Sequence, residues 1–188
     1  MYQKRDKIMK LYLTNFKARY YLREISKLAN LPLRTTQRIL AKLEKEKIIK
    51  SEKAGKNKYY FLNLQNIKTR FFLLITEINK TLEFLEKYPV LKPFLKEKIN
   101  SCLVVFGSFA ELKATKTSDL DLLVISNRKE KVPFYFLPYR IHKIKLSVVQ
   151  FRKALQKDAL AKEILKNHVV LTKHSLFMDI LWEYYGKT

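Results

Sequence analysis

Apolar and polar positions alternate along this 188-residue chain with two periods, and the change from one to the other marks out its elements. Residues 5–17 place Ile8, Met9, Leu11, Leu13 and Phe16 among charges, which predicts a first helix. Tyr20-Tyr21-Leu22 reads as a short strand, Arg23–Leu31 as a second helix with Ile25, Leu28 and Ala29 inward, and Leu31–Arg34 as a turn in which Pro32 helps stop that helix. A third helix over 35–49 spaces Ile39, Leu40, Leu43 and Ile48 at helical intervals. Two strand-like runs, 48–53 and 58–63, then flank the glycine-bearing tip Ala54-Gly55-Lys56-Asn57, the pattern of a β-hairpin.

From Leu64 to about Lys87 glycine and proline are absent. Phe71, Ile75, Ile78, Leu82 and Leu85 recur at intervals of four and three, a heptad-like stripe that Phe72, Leu74 and Phe84 widen, and Pro89 ends the helix. The stripe leaves two roles open: packing within the chain, or pairing with a symmetry mate in a homodimer through residues 64–99. Val90–Ile99 is predicted as a second short helix.

The second half holds the candidate chemistry. Leu103–Phe106 is a buried-strand pattern, Gly107-Ser108 a turn, and a second apolar strand carries Asp119 and Asp121. Side chains two apart on a strand share a face, so the two carboxylates are predicted to converge while Leu120, Leu122 and Val124 enter the core. Paired carboxylates form a hard oxygen site suited to Mg²⁺, with water and phosphate completing the coordination. The Gly-Ser turn lets backbone N–H groups approach an anion, and a following helix N-terminus is expected to add its positive end. Further on, Ile144–Phe151 is predicted as a strand, followed by two helices, a strand at Val169–Leu171 and a terminal helix with Phe177, Ile180, Leu181 and Trp182. Pro133 and Pro138 argue against one regular helix over 132–143, a stretch that stays without a prediction.

Charge sharpens the picture. The chain carries 39 Lys and Arg against 17 Asp and Glu, a net +22, and residues 1–60 hold 17 basic and 5 acidic side chains, a little over half of that excess. Such a skew suits a polyanion. On the third helix Arg34, Thr35, Thr36, Gln37, Arg38 and Lys42 are predicted to face a major groove, with Lys53, Lys56 and Lys58 of the hairpin on phosphate or minor groove, which makes double-stranded DNA the expected partner. No apolar run is long enough to span a bilayer, the N-terminus lacks signal-peptide character, and the single Cys102 cannot form an intrachain disulfide; a cytoplasmic protein without membrane contact is expected. His142, His168 and His174 lack metal-ligand spacing and are expected at the surface or in caps.

Gly107-Ser108 followed by Ser118-Asp119-Leu120-Asp121 between apolar strands resembles the signature of the DNA polymerase β-like nucleotidyltransferases, and among them the minimal nucleotidyltransferases of archaea and bacteria. Residues 5–63 resemble the small prokaryotic winged helix-turn-helix regulators. Together they resemble archaeal proteins that fuse the two modules. The resemblance implies an α+β chain: a winged helix-turn-helix domain over 1–63, a helical linker over 64–99 and a nucleotidyltransferase-like mixed-sheet domain over 100–188. It implies nucleotide binding by Gly107, Ser108 and Ser118, and metal binding and catalysis by Asp119 and Asp121, with Mg²⁺ or Mn²⁺ and an NTP as substrate or ligand. Fully equipped relatives add a third aspartate from a later strand, where this chain is expected to have Ser147. Many also carry a basic residue and a glycine just after the Gly-Ser-x-Ala, where Glu111 and Leu112 stand here. Three functions follow as expectations: transfer of NMP from an NTP, nucleotide sensing by a DNA-binding regulator without turnover, or an antitoxin-like role with a helical toxin partner.

Overall fold

A computed structural model describes residues 2–128 and 132–186. It divides into two compact units, Met1–Thr76 with Tyr185–Thr188, and Glu77–Tyr184.

The first unit begins with α1 (Tyr2–Leu13), β1 (Tyr20–Tyr21), α2 (Leu22–Leu28) and α3 (Leu33–Lys45). Two strands follow, β2 (Ile49–Ala54) and β3 (Asn57–Leu62). The order in the antiparallel sheet is β1-β3-β2. The third helix starts two residues earlier and stops four residues sooner than its apolar spacing predicts. Pro32 stands at its N-cap, and Lys47 takes a positive φ of 57° that turns Ile48 and Ile49 into the sheet layer. The hairpin closes on Gly55, whose φ of 59° supplies at the first turn position the left-handed conformation that glycine adopts without steric cost. Ile8, Met9, Tyr12, Ile25, Leu40 and Ile48 are buried at the centre, and the Tyr12 hydroxyl donates to the Tyr60 carbonyl at 3.1 Å. Burial, with Tyr20 and Glu24 adding to it, holds that hydroxyl well above the usual tyrosine range.

Helix α4 (Ile67–Lys87) follows. Phe84, read from the sequence as part of its apolar stripe, lies on the other side of the helix and is buried. The helix expected over 90–99 is instead two 3₁₀ turns, Pro89–Leu91 and Phe94–Lys96. Pro93 sits between them and lacks the N–H that a continuous helix would need.

The second unit is built on a four-stranded mixed sheet ordered β6-β5-β4-β7, with β4 (Cys102–Phe106), β5 (Leu120–Ile125), β6 (Ile141–Leu146) and β7 (His168–Val170). Strand β5 runs antiparallel to β4 and parallel to β6; β7 lies antiparallel on the far side of β4. One face of the sheet, with Leu103, Val105, Leu120, Leu122 and Val124, packs on Phe84, Leu91, Phe94 and Phe109. The other face, with Val104, Leu123, Ile125 and Val170, is equally buried. Helices α6 (Val148–Lys157), α7 (Ala159–Lys166) and α8 (His174–Gly186) come from the C-terminal third, and Phe151 of α6 stacks with Phe177 of α8 at 6.0 Å between centroids.

The strand expected over 144–151 is corrected here. Strand β6 ends at Leu146, and Ser147 is the N-cap of α6: its Oγ accepts from the Gln150 N–H at 3.1 Å while the Gln150 side chain accepts from the Ser147 N–H at 2.8 Å. This Ser-x-x-Gln capping box overrides the strand preference of Val148 and Val149.

His168 is also corrected. It is buried, with Nε2 2.8 Å from Glu77 Oε1 and Nδ1 donating to the Leu165 carbonyl at 3.0 Å. Burial alone would raise the Glu77 carboxyl, but the attraction and hydrogen bond of His168, helped by Lys80 and His174, outweigh it and hold the carboxyl below its ordinary value. Cys102 is buried and free, and burial, with Glu77 adding to it, pushes its thiol up to about 12, so it is an inert part of the core.

Candidate functional site

Strand β4 delivers the chain to Gly107, and β5 brings Asp121 directly abreast of Phe106, one residue before that glycine. Gly107 has a φ of 66°, and a Cβ placed on it would stand 2.5 Å from Asp121 Oδ2. The position therefore needs glycine twice: for its backbone conformation and for the space the carboxylate fills. The other carboxylate oxygen, Oδ1, lies 3.0 Å from His142 Nδ1. His142 is the β6 residue in register with Asp121. Asp121 is half-buried and His142 exposed.

Asp119 falls just before β5, not within it. It is exposed and has no hydrogen-bond or ion-pair partner among the described residues. Ser118 holds the same loop together, its Oγ accepting from the Thr115 N–H at 2.9 Å and lying 3.1 Å from Thr115 Oγ1. Ser108 is half-buried in α5 (Gly107–Ala110). That helix is one turn long, too short for the aligned peptide dipoles expected from the sequence to amount to much. What remains is the glycine-bent backbone itself.

The substitutions flanking this turn have a physical place in the fold. Glu111 is engaged: its carboxylate pairs with Lys113 at 3.0 Å and accepts from Asn167 at 3.4 Å. Leu112 adopts a φ of 60°, the left-handed region where relatives are expected to have glycine, and Lys87 Nζ donates to its carbonyl. The expectation that Ser147 takes the place of the third carboxylate is overturned by the register. Ser147 follows the end of β6 near Ile125 and Ser126, and the residue abreast of Asp121 is His142. Sequence reasoning missed His142 because nothing local in Ile-His-Lys-Ile-Lys gives the register of a parallel strand arriving some twenty residues later.

Among the described residues no group of three His, Cys, Asp or Glu side chains could hold a metal ion. The donor chemistry near Gly107 fits a different arrangement. Two carboxylates, one of them already seated against the glycine, match an ion such as Mg²⁺ that takes one or two protein oxygens and completes its shell with water and nucleotide phosphates. Asp119 and Asp121 are the residues that would hold it.

On the first unit, Arg34, Gln37, Arg38 and Lys42 are exposed on α3 and Thr35 half-exposed, and Arg34, Thr35, Gln37 and Arg38 line one shallow hollow with Ala41. Thr36 departs from this face. It is fully buried, its Oγ1 donating to the Pro32 carbonyl at 3.2 Å, because one turn of α3 carries it to the side that also buries Ile39 and Leu40. Lys53 and Lys56 are exposed on the hairpin. Lys58 is engaged: its ammonium pairs with Glu44 at 3.0 Å and lies 5.2 Å from the Tyr60 ring centroid. The Glu44 hydrogen bond is the main reason its pKa is raised.

A mixed sheet whose second strand begins at Leu120, between Asp119 and Asp121, beside a glycine-bent turn is nucleotidyltransferase-like in architecture. Residues 90–175 match the family model described as polymerase beta, nucleotidyltransferase, a span that runs from the first 3₁₀ turn to the start of α8 and includes Gly107, Asp119, Asp121 and His142. Comparisons with curated proteins and with solved structures each returned no match. No helix among the described residues is long and apolar enough to cross a membrane.

Proposed function

We propose that this chain is a DNA-binding protein whose second unit binds an NTP with Mg²⁺ or Mn²⁺ and transfers NMP to an acceptor. The reading rests on one observation above all: a glycine kept in the left-handed region with the Asp121 carboxylate filling the place of its missing side chain. In this reading the glycine-bent backbone at Gly107 and Ser108 receives phosphate oxygens. Asp121, aligned by His142, and the unpartnered Asp119 supply the negative charge that a metal–triphosphate needs. When bound, the metal supplies charge neutralisation for an in-line displacement. Ser118 holds the loop that sets Asp119 ahead of β5.

The first unit is read as a winged helix-turn-helix. The succession helix, strand, helix, helix and hairpin supports it, as does the row Arg34, Gln37, Arg38 and Lys42 on α3, with Lys53 and Lys56 on the hairpin as the wing. A second reading, nucleotide sensing without turnover, is favoured by His142: an imidazole stands where an acidic residue would have completed the site.

The test is incubation of the full chain with each α-labelled NTP, Mg²⁺, and RNA, DNA and protein acceptors, alongside melting curves with and without nucleotide. Transfer that Asp121→Asn abolishes establishes the first reading. A melting-temperature rise with metal and NTP but no transfer establishes the second. Neither transfer nor a melting shift at millimolar ligand would remove nucleotide binding from the account.

A further inference from the structure

Helix α4 carries an apolar stripe that the described residues leave largely uncovered, with only the Arg70 guanidinium near it, 5.5 Å from the Phe71 ring centroid. Ile67, Phe71, Ile75, Ile78 and Leu82 are each 40–57% exposed, while Leu73, Thr76 and Glu77 on its other side are buried. At 3.6 residues per turn the five fall within a sector of about 80° and run along about 22 Å of helix. Monomers seldom leave so continuous an apolar surface bare. The five side chains of the stripe are uncharged in a chain where Lys and Arg make up 39 of 188 residues, and Arg70 reaches only its Phe71 end. Its ends are charged, and oppositely: Lys68 at the first turn and Glu86 at the last lie along the same edge of the stripe.

We propose that this stripe is the interface of a homodimer in which two α4 helices pack antiparallel about a two-fold axis near residue 77. The sequence is self-complementary about that point. A two-fold perpendicular to the helix sets Ile75 opposite the partner's Ile78, and Phe71 opposite the partner's Leu82. It also brings Lys68 to the partner's Glu86 twice, once on each side of the axis. A parallel arrangement sets each of these groups against its own copy. Glu86 already pairs with Lys92 at 2.8 Å, and its carboxylate keeps acceptor capacity for a second cation.

Charge selects a second copy over other occupants. Two chains of net +22 repel wherever lysines meet, so self-association is confined to a neutral face, and α4 provides one. An acidic partner would be drawn to the lysine-rich surfaces instead. Half-exposed side chains of this size offer on the order of 500 Å² per protomer, so about 1,000 Å² is buried in all, the lower edge for a specific interface. The dimer is therefore weak, with a Kd on the order of 10 µM.

Sedimentation equilibrium of the full chain tests this. The 22.5 kDa protomer is expected to approach twice that mass as concentration rises through the Kd. Ile75→Lys and Ile78→Lys, both at exposed positions, should each weaken association at least about tenfold with unchanged circular dichroism. Lys68→Glu should weaken it, and the double variant Lys68→Glu with Glu86→Lys should restore it, which only the antiparallel arrangement predicts. A chain that stays monomeric up to about 200 µM, or a dimer indifferent to both lysine substitutions, overturns the proposal. So does a monomer that binds vesicles through Ile78. Failure of the charge exchange to restore association overturns the antiparallel geometry. None of these outcomes depends on nucleotide binding or transfer.

Discussion

Replacing Gly107 with alanine tests whether Asp121 occupies the space of the missing side chain. The chain contains its own control. Gly55 and Gly107 share nearly the same left-handed φ, 59° and 66°, but a Cβ on Gly55 would meet nothing within 4 Å, whereas one on Gly107 would meet Asp121 Oδ2 at 2.5 Å. Gly55→Ala therefore reports the backbone cost alone, about 1 kcal/mol. Gly107→Ala adds the displacement of a carboxylate tied to β5 on one side and to His142 on the other, an overpacking cost of about 2 kcal/mol, for a total near 3 kcal/mol. Asp121→Ala supplies the third corner. Truncation removes Oδ2 and Cγ and leaves a Cβ at 3.7 Å, an ordinary contact. In that background Gly107→Ala should cost no more than Gly55→Ala, a coupling of about 2 kcal/mol. Urea unfolding followed by the fluorescence of Trp182, the only tryptophan, reports on the unit that contains Gly107, and far-UV circular dichroism follows Gly55. Equal costs for the two glycine substitutions, or no coupling to Asp121, would refute the cradle and with it the physical basis of the site.

Other consequences are narrower. Arg38→Ala and Lys56→Ala should each weaken binding to duplex DNA and lower the salt dependence by about one counterion-releasing contact, while Thr36→Ala should leave that slope unchanged and cost about 1 kcal/mol of stability, measured by fluorescence anisotropy and urea unfolding. Leu112→Gly should be neutral to stabilising by up to about 1 kcal/mol, since it relieves a φ of 60° at a side chain that is 40% exposed; a clear loss of stability would show that the left-handed turn carries no strain. Glu77→Gln should cost about 1–3 kcal/mol at neutral pH and flatten the acid limb. The Glu77 carboxyl is held below its ordinary value, so its contribution is full above the unfolded pKa of about 4.3 and is lost as pH falls through the lower folded value. A pH–stability profile of the variant that parallels the parent's below about pH 5 would refute the assignment.

Much of this was written in local pattern. The heptad intervals gave α4, the glycine-centred tip gave the β2–β3 hairpin, and Leu103–Phe106 and Leu120–Ile125 were legible as strands because both faces of the sheet are buried and nearly every residue is apolar. Other features were present but outvoted. Ser147-x-x-Gln150 is a capping box in plain view, yet Val148 and Val149 made it look like strand. Pro93 already forbade a helix over 90–99. Thr36 has the hydroxyl that a groove-reading face calls for, but its phase in α3 puts it beside Ile39 and Leu40. The rest was beyond local reading. The partnership of Asp121 with His142 needs the register of two strands joined by a connection with no regular pattern. The burial of His168 against Glu77 needs a contact across 91 positions.

His142 also alters what the acidic pair can do. A carboxylate in its place would bring a second negative charge against Asp121. An imidazole instead hydrogen-bonds Asp121 Oδ1, while Asp119 has no partner among the described residues. Asp121 is then positioned by the fold itself, and in the proposed reading a metal would have to draw in the exposed Asp119. Gly107, just past β4, leaves room for one carboxylate oxygen, and His142 of β6 hydrogen-bonds the other. If the site binds metal and triphosphate as proposed, Asp121 needs no rearrangement to take part, because the space beside Gly107 and the His142 ring already position its carboxylate.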